Sequence, residues 1–337
     1  MDIESYARET RPLIDLKLAE MARRLHFSRH MLFQLTGGKR LRAVLCLLTC
    51  EALGGRREDA LEYAAAIEMI HAGTLTHDDY VDRHKVRRGK LPLYAVIGPR
   101  KAVLLADLLM SAAIKLTKSE DGSKDALSEA VYNVARGAVM EPLGFKDIAS
   151  SLIYGSIQEE LYESIVKLKA GELFATACKL GAIAAKAPSE LRERAYVYGL
   201  LCGMAFQVAD DLVDLSKLLQ NGAAEADLMT SIFPMVAFFS GREAAIELFR
   251  KLVLARGPGG VFMLIPGYGA ALRAAVIRRE RKFLKRVARS AFRYVCEKCR
   301  LAREAISVFP ESRYRRVLEE FPEYAVRKML REACKPS

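Results

Sequence analysis

Two aspartate-rich pentads carry the strongest chemical signal in this sequence. The first reads Asp78-Asp79-Tyr80-Val81-Asp82, and the second, Asp210-Asp211-Leu212-Val213-Asp214, repeats its D-D-x-x-D pattern. Residues four apart share one face of a helix, so the first and last aspartates of each pentad would project together. Like charges at this spacing repel by about 0.2–0.5 kcal/mol, and apolar neighbours add a desolvation cost. A chain that repeats this arrangement is expected to hold a cation between the two clusters.

The chemistry of the carboxylate group favours one class of cation. Hard ions prefer oxygen ligands, and Mg²⁺ is usually bound by a few carboxylates together with substrate phosphates. A lone D-D-x-x-D is more often a solvated helix face. However, apolar residues surround both pentads at helical spacing, which places the acids at the mouth of a core. We therefore predict a magnesium site that serves a phosphorylated substrate.

Basic and polar residues near the first pentad supply candidate phosphate ligands. Residues 37–42, Gly-Gly-Lys-Arg-Leu-Arg, form a turn before a helix, where amides and cations can bind an anion, although a capping turn with surface cations is the alternative. His71 lies about two helical turns before Asp78 and can share its face. Arg87 and Arg88 could grip a diphosphate bidentately. Lys169 begins a helix of small residues that would permit close approach of a ligand.

The elements that must position these residues are helical almost throughout. Apolar residues recur at i, i+3, i+4 and i+7, alternating β-type runs are scarce, and no linker divides the chain. We predict an all-α fold, a single large helix bundle around a central cavity, formed by one domain over residues 1–337. The predicted helices lie near 3–25, 39–53, 57–80, 100–117, 124–143, 157–186, 188–215, 227–240, 242–255, 268–308 and 312–332.

In such a bundle, two antiparallel helices far apart in sequence can face each other. Both aspartate clusters would then overhang one cavity with apolar walls. A charged mouth above an apolar shaft suits a substrate with an ionic head and a hydrocarbon tail.

Composition narrows the class of protein. The 337 residues are 51% hydrophobic and 28% charged, which indicates an ordered chain with a sizeable core. No apolar run reaches the roughly 18–20 residues of a membrane span, and the start of the chain lacks the form of a signal peptide, so we expect a cytoplasmic protein. The seven cysteines are scattered, and the single C-x-x-C at 296–299 is a poor zinc signal.

A strip of cations near the C-terminus contributes to the formal net charge of +12. Nucleic acid is one possible partner of such a strip, but no zinc-finger, RNP-like or helix-turn-helix signature accompanies it, so we predict no nucleic-acid binding. An anionic substrate, an acidic membrane surface or a solvated helix face explains the strip at least as well. Its members are Arg278, Arg279, Arg281, Lys282, Lys285, Arg286 and Arg289, with Glu280 as the single acid among them.

The motifs together resemble the trans-isoprenyl diphosphate synthases, or polyprenyl synthetases. The resemblance covers most of the chain in the right order, and the paired aspartate motifs with GGKxxR and RRGK are highly specific. The matching pieces are GGKRLR at 37–42, EMIHAGTLTHDDYVDRHKVRRGK at 68–90, KLKAGELFATACKLGA at 167–182, FQVADDLVD at 206–214 and the tail at 302–328.

The resemblance implies a head-to-tail condensation of isopentenyl diphosphate with an allylic diphosphate. It implies Mg²⁺, about three ions when substrate is bound, and a homodimer. By similarity, Arg87 and Lys169 would bind the allylic diphosphate, and Gln207, beside the second pentad, and Asp214 would also bind substrate. No protein base is expected, since the departing pyrophosphate takes the proton. The implied metal ligands are Asp78, Asp79, Asp82, Asp210, Asp211 and Asp214. The implied isopentenyl diphosphate ligands are Lys39, Arg42, His71 and Arg88.

Three departures from the family pattern leave an alternative open. The segment 227–234 after the second pentad carries no lysine, and Lys217 is the candidate replacement. Ala170 follows Lys169 where threonine is common, and a Gly-Gln-x-x-Asp segment is not evident near residues 140–142. The alternative is a weakly active or non-catalytic regulatory subunit. A terpene cyclase is disfavoured because both pentads and the 37–42 anion site are present.

Small residues below the first pentad predict a long product. Gly73 and Thr74 replace the bulky aromatics that stop growth at the farnesyl stage in this family. We therefore expect geranylgeranyl or longer products, with Ile70 or residues around 105–112 as the floor of the shaft.

Overall fold

The computed structural model describes residues 2–26, 35–87, 89–117, 121–142, 159–221, 226–254 and 268–333. Within these ranges every regular secondary-structure element is a helix, which confirms the all-α prediction. One isolated β-bridge joins Arg87 and Lys90. The helices are α1 Ile3–Arg24, α2 Leu41–Ala52, α3 Arg57–Val81, α4 Leu93–Ile97, α5 Pro99–Leu116, α6 Ser123–Met140, α7 Glu159–Ile165, the π-helix Val166–Gly171, α8 Glu172–Ala184, α9 Ser189–Asn221, α10 Ala226–Ser240, α11 Arg242–Leu254, α12 Tyr268–Arg279, α13 Arg281–Ala305 and α14 Arg313–Ala333.

The contacts between Cα atoms divide the chain into two compact units. The first comprises Met1–Arg136, Leu168–Met204 and Lys298–Ala325, and the second comprises Gly137–Lys167, Ala205–Glu297 and Val326–Ser337. The prediction of one domain over residues 1–337 stays a prediction. None of the described helices is both long enough and apolar enough to span a membrane.

Helix α3 is the centre of the first unit and carries the first aspartate pentad at its end. It contacts α1, α2, α4, α5 and α8. Three successive alanines, Ala64–Ala66, are fully buried, because neighbours cover this helix on several sides. Small side chains allow these neighbours to approach closely. The core of this unit therefore fixes the helix that presents Asp78 and Asp82.

Glycines mark the tightest helix crossings of the first unit. A Cβ atom at Gly181 of α8 would lie 2.2 Å from the carbonyl oxygen of Cys46 in α2. A Cβ atom at Gly199 of α9 would lie 2.3 Å from the carbonyl oxygen of Phe174 in α8. Since neither backbone can yield cheaply, any larger residue would force the helices apart.

The second unit contains α7, α10, α11 and α12, together with α9 from Ala205 onward and α13 as far as Glu297. Helix α10 contacts both α7 and α11. An aromatic cluster lies within it, in which the rings of Tyr162, Phe238, Phe239 and Tyr294 meet with centroids 4.8–5.9 Å apart. Such edge and tilted ring contacts stabilise beyond the burial of apolar area. Tyr162 is thereby held in place beside the second pentad.

Candidate active site

The first pentad occupies the last turn of α3. Asp82 is the residue that ends the helix, and its amide donates to the carbonyl oxygen of Asp78 at 2.8 Å. Asp78 is half-buried, whereas Asp82 is exposed. The two aspartates therefore lie one helical turn apart, and both side chains are at least partly accessible to a ligand.

Asp79 lies in a different environment from its two partners. Its side chain is 1% exposed, and its Oδ1 atom accepts from Arg87 Nε at 2.6 Å and lies 3.2 Å from His84 Nδ1. Its Oδ2 atom is buried and has no hydrogen-bond partner in the described part of the chain. Asp79 thus positions Arg87 through one carboxylate oxygen, while the described residues leave its other oxygen without a donor.

The turn after α3 is shaped to return Arg87 to Asp79. The amide of His84 donates to the carbonyl oxygen of Asp79 at 3.0 Å, and Arg83 takes a positive φ of 53°. Arg87 and Lys90 then exchange two backbone hydrogen bonds. Arg88, between them, lies outside the described residues.

Lys169, a candidate ligand of the allylic diphosphate, lies next to the first pentad. Its Nζ atom is 3.8 Å from Oδ1 of Asp78. The lysine belongs to the π-helix Val166–Gly171, and short π-helical segments frequently occur at functional sites. Behind it, a Cβ atom at Gly203 of α9 would lie only 2.8 Å from Gly171 Cα. The small residues near Lys169 therefore serve a close helix crossing.

The glycine-rich turn before α2 is strained in the way that its sequence indicates. Gly37 and Gly38 have φ values of 78° and 93°, and Arg40 has a φ of 54°. Glycine adopts this region readily, whereas an arginine there needs compensating contacts.

Arg40 obtains these contacts from three parts of the chain. Its guanidinium donates to Asp15 of α1 at 2.9 Å, to Glu68 of α3 at 3.3 Å and to the carbonyl oxygen of Leu35 at 2.5 Å. Arg40 and Glu68 are both buried, and Glu68 also accepts from the amide of Ala43. Arg40 is thus a positioning residue that fixes the turn between Lys39 and Arg42. Sequence reasoning assigned it no role, because three cations in one motif look alike.

Two of the predicted isopentenyl diphosphate ligands are brought together. Arg42 Nη1 lies 3.0 Å from Nε2 of His71, and the Arg42 guanidinium lies 4.6 Å from the ring centroid of Phe174. Lys39 is half-buried at the start of the same turn. The described residues therefore place one cationic group and one imidazole side by side on neighbouring helices.

The second pentad lies within α9, and its middle aspartate is anchored by uncharged donors. Tyr162 Oη donates to Asp211 Oδ2 at 2.5 Å, and Gln207 Nε2 donates to Asp211 Oδ1 at 3.0 Å. Burial raises the pKa of Asp211 to about 7, against the effect of these two hydrogen bonds, and the charges of Asp210 and Asp214 raise it further. The role of Tyr162 was missed because nothing in its local sequence pairs it with a residue so far along the chain.

All three aspartates of the second pentad are half-buried. Asp214 forms an ion pair with Lys217, at 2.8 Å between Oδ1 and Nζ. Lys217, the candidate replacement for the lysine that the segment 227–234 lacks, thus lies beside the second pentad. The segment 227–234 falls within α10.

Gly73 does not face empty space. A Cβ atom there would lie 2.7 Å from Met110 Cγ and 3.0 Å from the carbonyl oxygen of Ala106, both on α5. Thr74 donates to the carbonyl oxygen of His71, and Ile70 is fully buried. The expectation that small size at Gly73 leaves a shaft open is therefore revised, because the glycine admits α5 to close contact with α3.

The donor set suits a metal ion that takes part of its coordination from a substrate. Among the described residues, no three His, Cys, Asp or Glu side chains are assembled as a complete metal cage. Mg²⁺ normally uses one or two carboxylates plus phosphate oxygens, which matches the paired accessible acids of each pentad and the buried Oδ2 of Asp79. The residues present therefore fit the predicted ion.

Comparison with known proteins identifies the family. The model of the family described as Polyprenyl synthetase matches residues 26–243. A geranylgeranyl pyrophosphate synthase from Geoglobus acetivorans is 34% identical over 181 residues, which cover 53% of this chain and 56% of that protein. A geranylfarnesyl diphosphate synthase from Aeropyrum pernix is 36% identical over 189 residues, covering 52% and 57%. The chain thus aligns with a little over half the length of these relatives.

Solved structures extend the similarity of fold over nearly the whole chain. A geranylgeranyl pyrophosphate synthetase from Pyrococcus horikoshii has a TM-score of 0.73 at 23% identity, covering 96% of this chain and 98% of that one. A polyprenyl synthase from Caulobacter crescentus, complexed with calcium and isoprenyl diphosphate, has a TM-score of 0.68 at 25% identity, covering 96% and 94%. With its helical fold, both aspartate pentads and this family match, the chain belongs to the polyprenyl synthetase family.

Proposed function

We propose that the protein is a trans-prenyltransferase that condenses isopentenyl diphosphate with an allylic diphosphate. The observation that carries this proposal is the arrangement at the end of α3. Asp78 and Asp82 share one face, Lys169 lies 3.8 Å from Asp78, and Arg87 is held beside them by Asp79. Acidic groups for a metal ion and cations for a phosphate thus occur together, as a diphosphate site requires.

The two pentads would hold about three Mg²⁺ ions in total, through Asp78 and Asp82 of the first and Asp210 and Asp214 of the second. The middle aspartates, Asp79 and Asp211, are held in place by hydrogen bonds from neighbouring side chains. When bound, the metal supplies Lewis-acid neutralisation of the charge on the leaving diphosphate. Lys169, Arg87 and Gln207 would bind the same diphosphate and orient it for departure. Arg42 and His71, with Lys39 and Arg88, would hold isopentenyl diphosphate.

The reaction would need little proton chemistry from the chain itself. The allylic carbon–oxygen bond breaks, and the double bond of isopentenyl diphosphate adds to the resulting cation. A proton is then lost to the departing pyrophosphate. The cationic side chains act by fixing both diphosphates, since binding and electrostatic stabilisation account for most of such rate enhancements.

We propose a geranylgeranyl or longer product. The relatives named above make geranylgeranyl and geranylfarnesyl diphosphates, according to their names. Below the first pentad no aromatic residue stands at Gly73 or Thr74, and Met110 is a flexible side chain that fills the space over Gly73. Met110, with the buried Ile70, is therefore the better candidate for the floor.

We further propose a homodimer and a cytoplasmic location. Support for self-association comes from exposed apolar side chains on α5, where Leu104 is 58% and Leu108 is 48% exposed. Size-exclusion chromatography with light scattering would test it, and a monomer at micromolar concentration would contradict it. The location rests on the sequence alone and is tested by cell fractionation.

A regulatory subunit with little activity is the second candidate. The observation in its favour is that Lys217 is engaged with Asp214, and no lysine follows in the segment 227–234. A charge-assisted contact to phosphate contributes about 1.5–3 kcal/mol, so its loss would slow ionisation without abolishing it.

The deciding experiment incubates the purified protein with Mg²⁺, labelled isopentenyl diphosphate and a series of allylic diphosphates, followed by chain-length analysis. Elongated product would support the transferase, and lengthening by Met110→Ala would support the proposed floor. Metal-dependent ligand binding without turnover would instead favour the regulatory subunit. Absence of both would contradict each proposal.

A further inference from the structure

The N-terminal half of α13 presents a face of a single charge sign. Six cationic side chains of its first 13 residues are all exposed, and no acid occurs before Glu297. At 100° per residue these positions fall on one side of the helix. We call this set the α13 basic face: Arg281, Lys282, Lys285, Arg286, Arg289 and Arg293.

Core packing of the second unit fixes the direction in which this face points. On the opposite side of α13, Leu284, Val287, Ala291 and Val295 are each at most 2% exposed. The helix therefore cannot rotate about its axis without losing these contacts. The cations are presented outward as a fixed array.

The array is not neutralised within the described part of the chain. None of the six side chains forms an ion pair there, and Glu280, which precedes the helix, is paired with Lys251 at 2.8 Å. Several of the cations also stand four residues apart, for example Lys285 and Arg289, and repel each other. A solvated helix face usually mixes both signs, so this arrangement favours an anionic counter-surface.

Phe292 adds an apolar group to the same face. It lies between Arg289 and Arg293 and is 50% exposed. An exposed aromatic ring flanked by cations suits an interface where charged headgroups overlie hydrocarbon.

The geometry points to the α13 basic face as a docking surface for an anionic lipid membrane. Six cations along about 18 Å of helix match the clusters of four to eight that bind acidic lipids. The choice of lipid over nucleic acid rests partly on the proposed function, because a long prenyl diphosphate partitions into membranes. The helix would lie on the surface without entering it, since its apolar side is already buried in the protein.

The experiment is flotation of the purified full chain with vesicles, at low salt, without substrate. Vesicles of phosphatidylcholine alone are compared with vesicles that contain about one-third phosphatidylglycerol. We expect binding to the anionic vesicles only, and its loss in about 1 M salt, where the screening length falls to about 3 Å. Equal binding to both vesicles, or none to either, would overturn the proposal.

Variants locate the surface. Lys285→Glu with Arg289→Glu should weaken binding at least about tenfold, and Phe292→Ser should weaken it less. Arg23→Glu with Arg24→Glu, an equal change of charge on exposed residues of α1, is the matched control and should alter binding less than about twofold. Circular dichroism checks that each variant is folded.

Two results would contradict the assignment. Unchanged vesicle binding by the Lys285→Glu, Arg289→Glu variant would place the surface elsewhere. Binding of a duplex oligonucleotide at the same salt, with no vesicle binding, would identify nucleic acid as the partner instead. Prenyl transfer in detergent-free buffer is measured separately, so that loss of activity and loss of docking are distinguished.

Discussion

The two aspartate pentads have the same sequence pattern but anchor their middle residue by different chemistry. In the first, Asp79 is paired with the cation of Arg87 and with His84. In the second, Asp211 accepts hydrogen bonds from the uncharged side chains of Tyr162 and Gln207, and its pKa is raised to about 7. The buried carboxylate of Asp79 therefore has a cationic partner, whereas that of Asp211 has only uncharged donors, and burial raises its pKa.

This difference suggests a division of labour. The first anchor pairs Asp79 with Arg87 and so holds this guanidinium beside the pentad, where a phosphate could bind it. The second anchor contains no cation, so a metal ion bound with substrate would supply the positive charge that favours ionised Asp211. Identical motifs thus acquire different properties from residues outside the motif.

The largest expected effect comes from the accessible aspartates, where the two pentads should behave alike. Asp78→Asn and Asp210→Asn should each lower kcat about 10³-fold or more, because each removes a proposed metal ligand. Steady-state prenyl transfer and thermal unfolding test this. Asp125→Asn, an exposed aspartate on α6, is the control. A loss of activity in only one of the two variants would show that the two pentads do not have equivalent roles.

The next effect concerns the cationic anchor. Arg87→Met leaves the buried Asp79 carboxylate without its partner and should lower the free energy of unfolding by about 2–4 kcal/mol, measured by urea denaturation. It should also raise KM for the allylic diphosphate. Lys85→Met, at an exposed neighbouring position, should change neither quantity. Unchanged stability of Arg87→Met would show that Asp79 does not depend on the ion pair.

Removing the neutral anchor should have a smaller effect. Tyr162→Phe deletes one hydrogen bond to Asp211 but keeps the ring among Phe238, Phe239 and Tyr294, so stability should fall by about 1–2 kcal/mol. The Mg²⁺ concentration for half-maximal rate should rise, because Asp211 becomes harder to ionise. The matched control is Tyr294→Phe, whose hydroxyl bonds Glu163 instead, and it should leave the metal dependence unchanged. An identical shift in both variants would indicate a general packing effect.

The smallest effect is a pH dependence of stability that arises from Asp211. The folded pKa of Asp211 is above its unfolded value, so the folded state holds more protons between the ordinary value of 3.8 and about 7. Its contribution to stability is therefore present at low pH and lost as the pH rises to about 7. Urea unfolding without Mg²⁺ at pH 5 and pH 8 should show that Asp211→Asn gains stability relative to wild type at the higher pH. The opposite sign would contradict the raised pKa.

Much of this organisation was accessible from the sequence. The predicted helix over 57–80 is α3 to within one residue, and the turn at Gly37 and Gly38 lies where it was expected. Lys169, Arg42 and His71 could be named as candidate site residues from motifs with distinctive residue types, but their pairing with Asp78 and with each other appears only in the structure. Helical periodicity and the positions of charged residues depend on short stretches of sequence, so they can be predicted without the tertiary structure.

What was missed depends on tertiary structure. Arg40 is one of three cations in its motif, and only its burial against Glu68 and Asp15 distinguishes it. The small size of Gly73 was interpreted as leaving the shaft open, because the sequence does not show that Met110 packs over this glycine. The predicted helix 157–186 contains the π-helical turn that carries Lys169, and periodicity is too coarse to reveal one extra residue per turn.

The proposed function requires both pentads for one reaction, and a double-mutant cycle tests this requirement most directly. We would measure kcat for Asp78→Asn, Asp210→Asn and the double variant under saturating substrate and Mg²⁺. If the pentads act as a unit, the double variant should be no more than about tenfold slower than the slower single variant. Losses that multiply in full would mean that the two pentads act independently, and the account would be wrong.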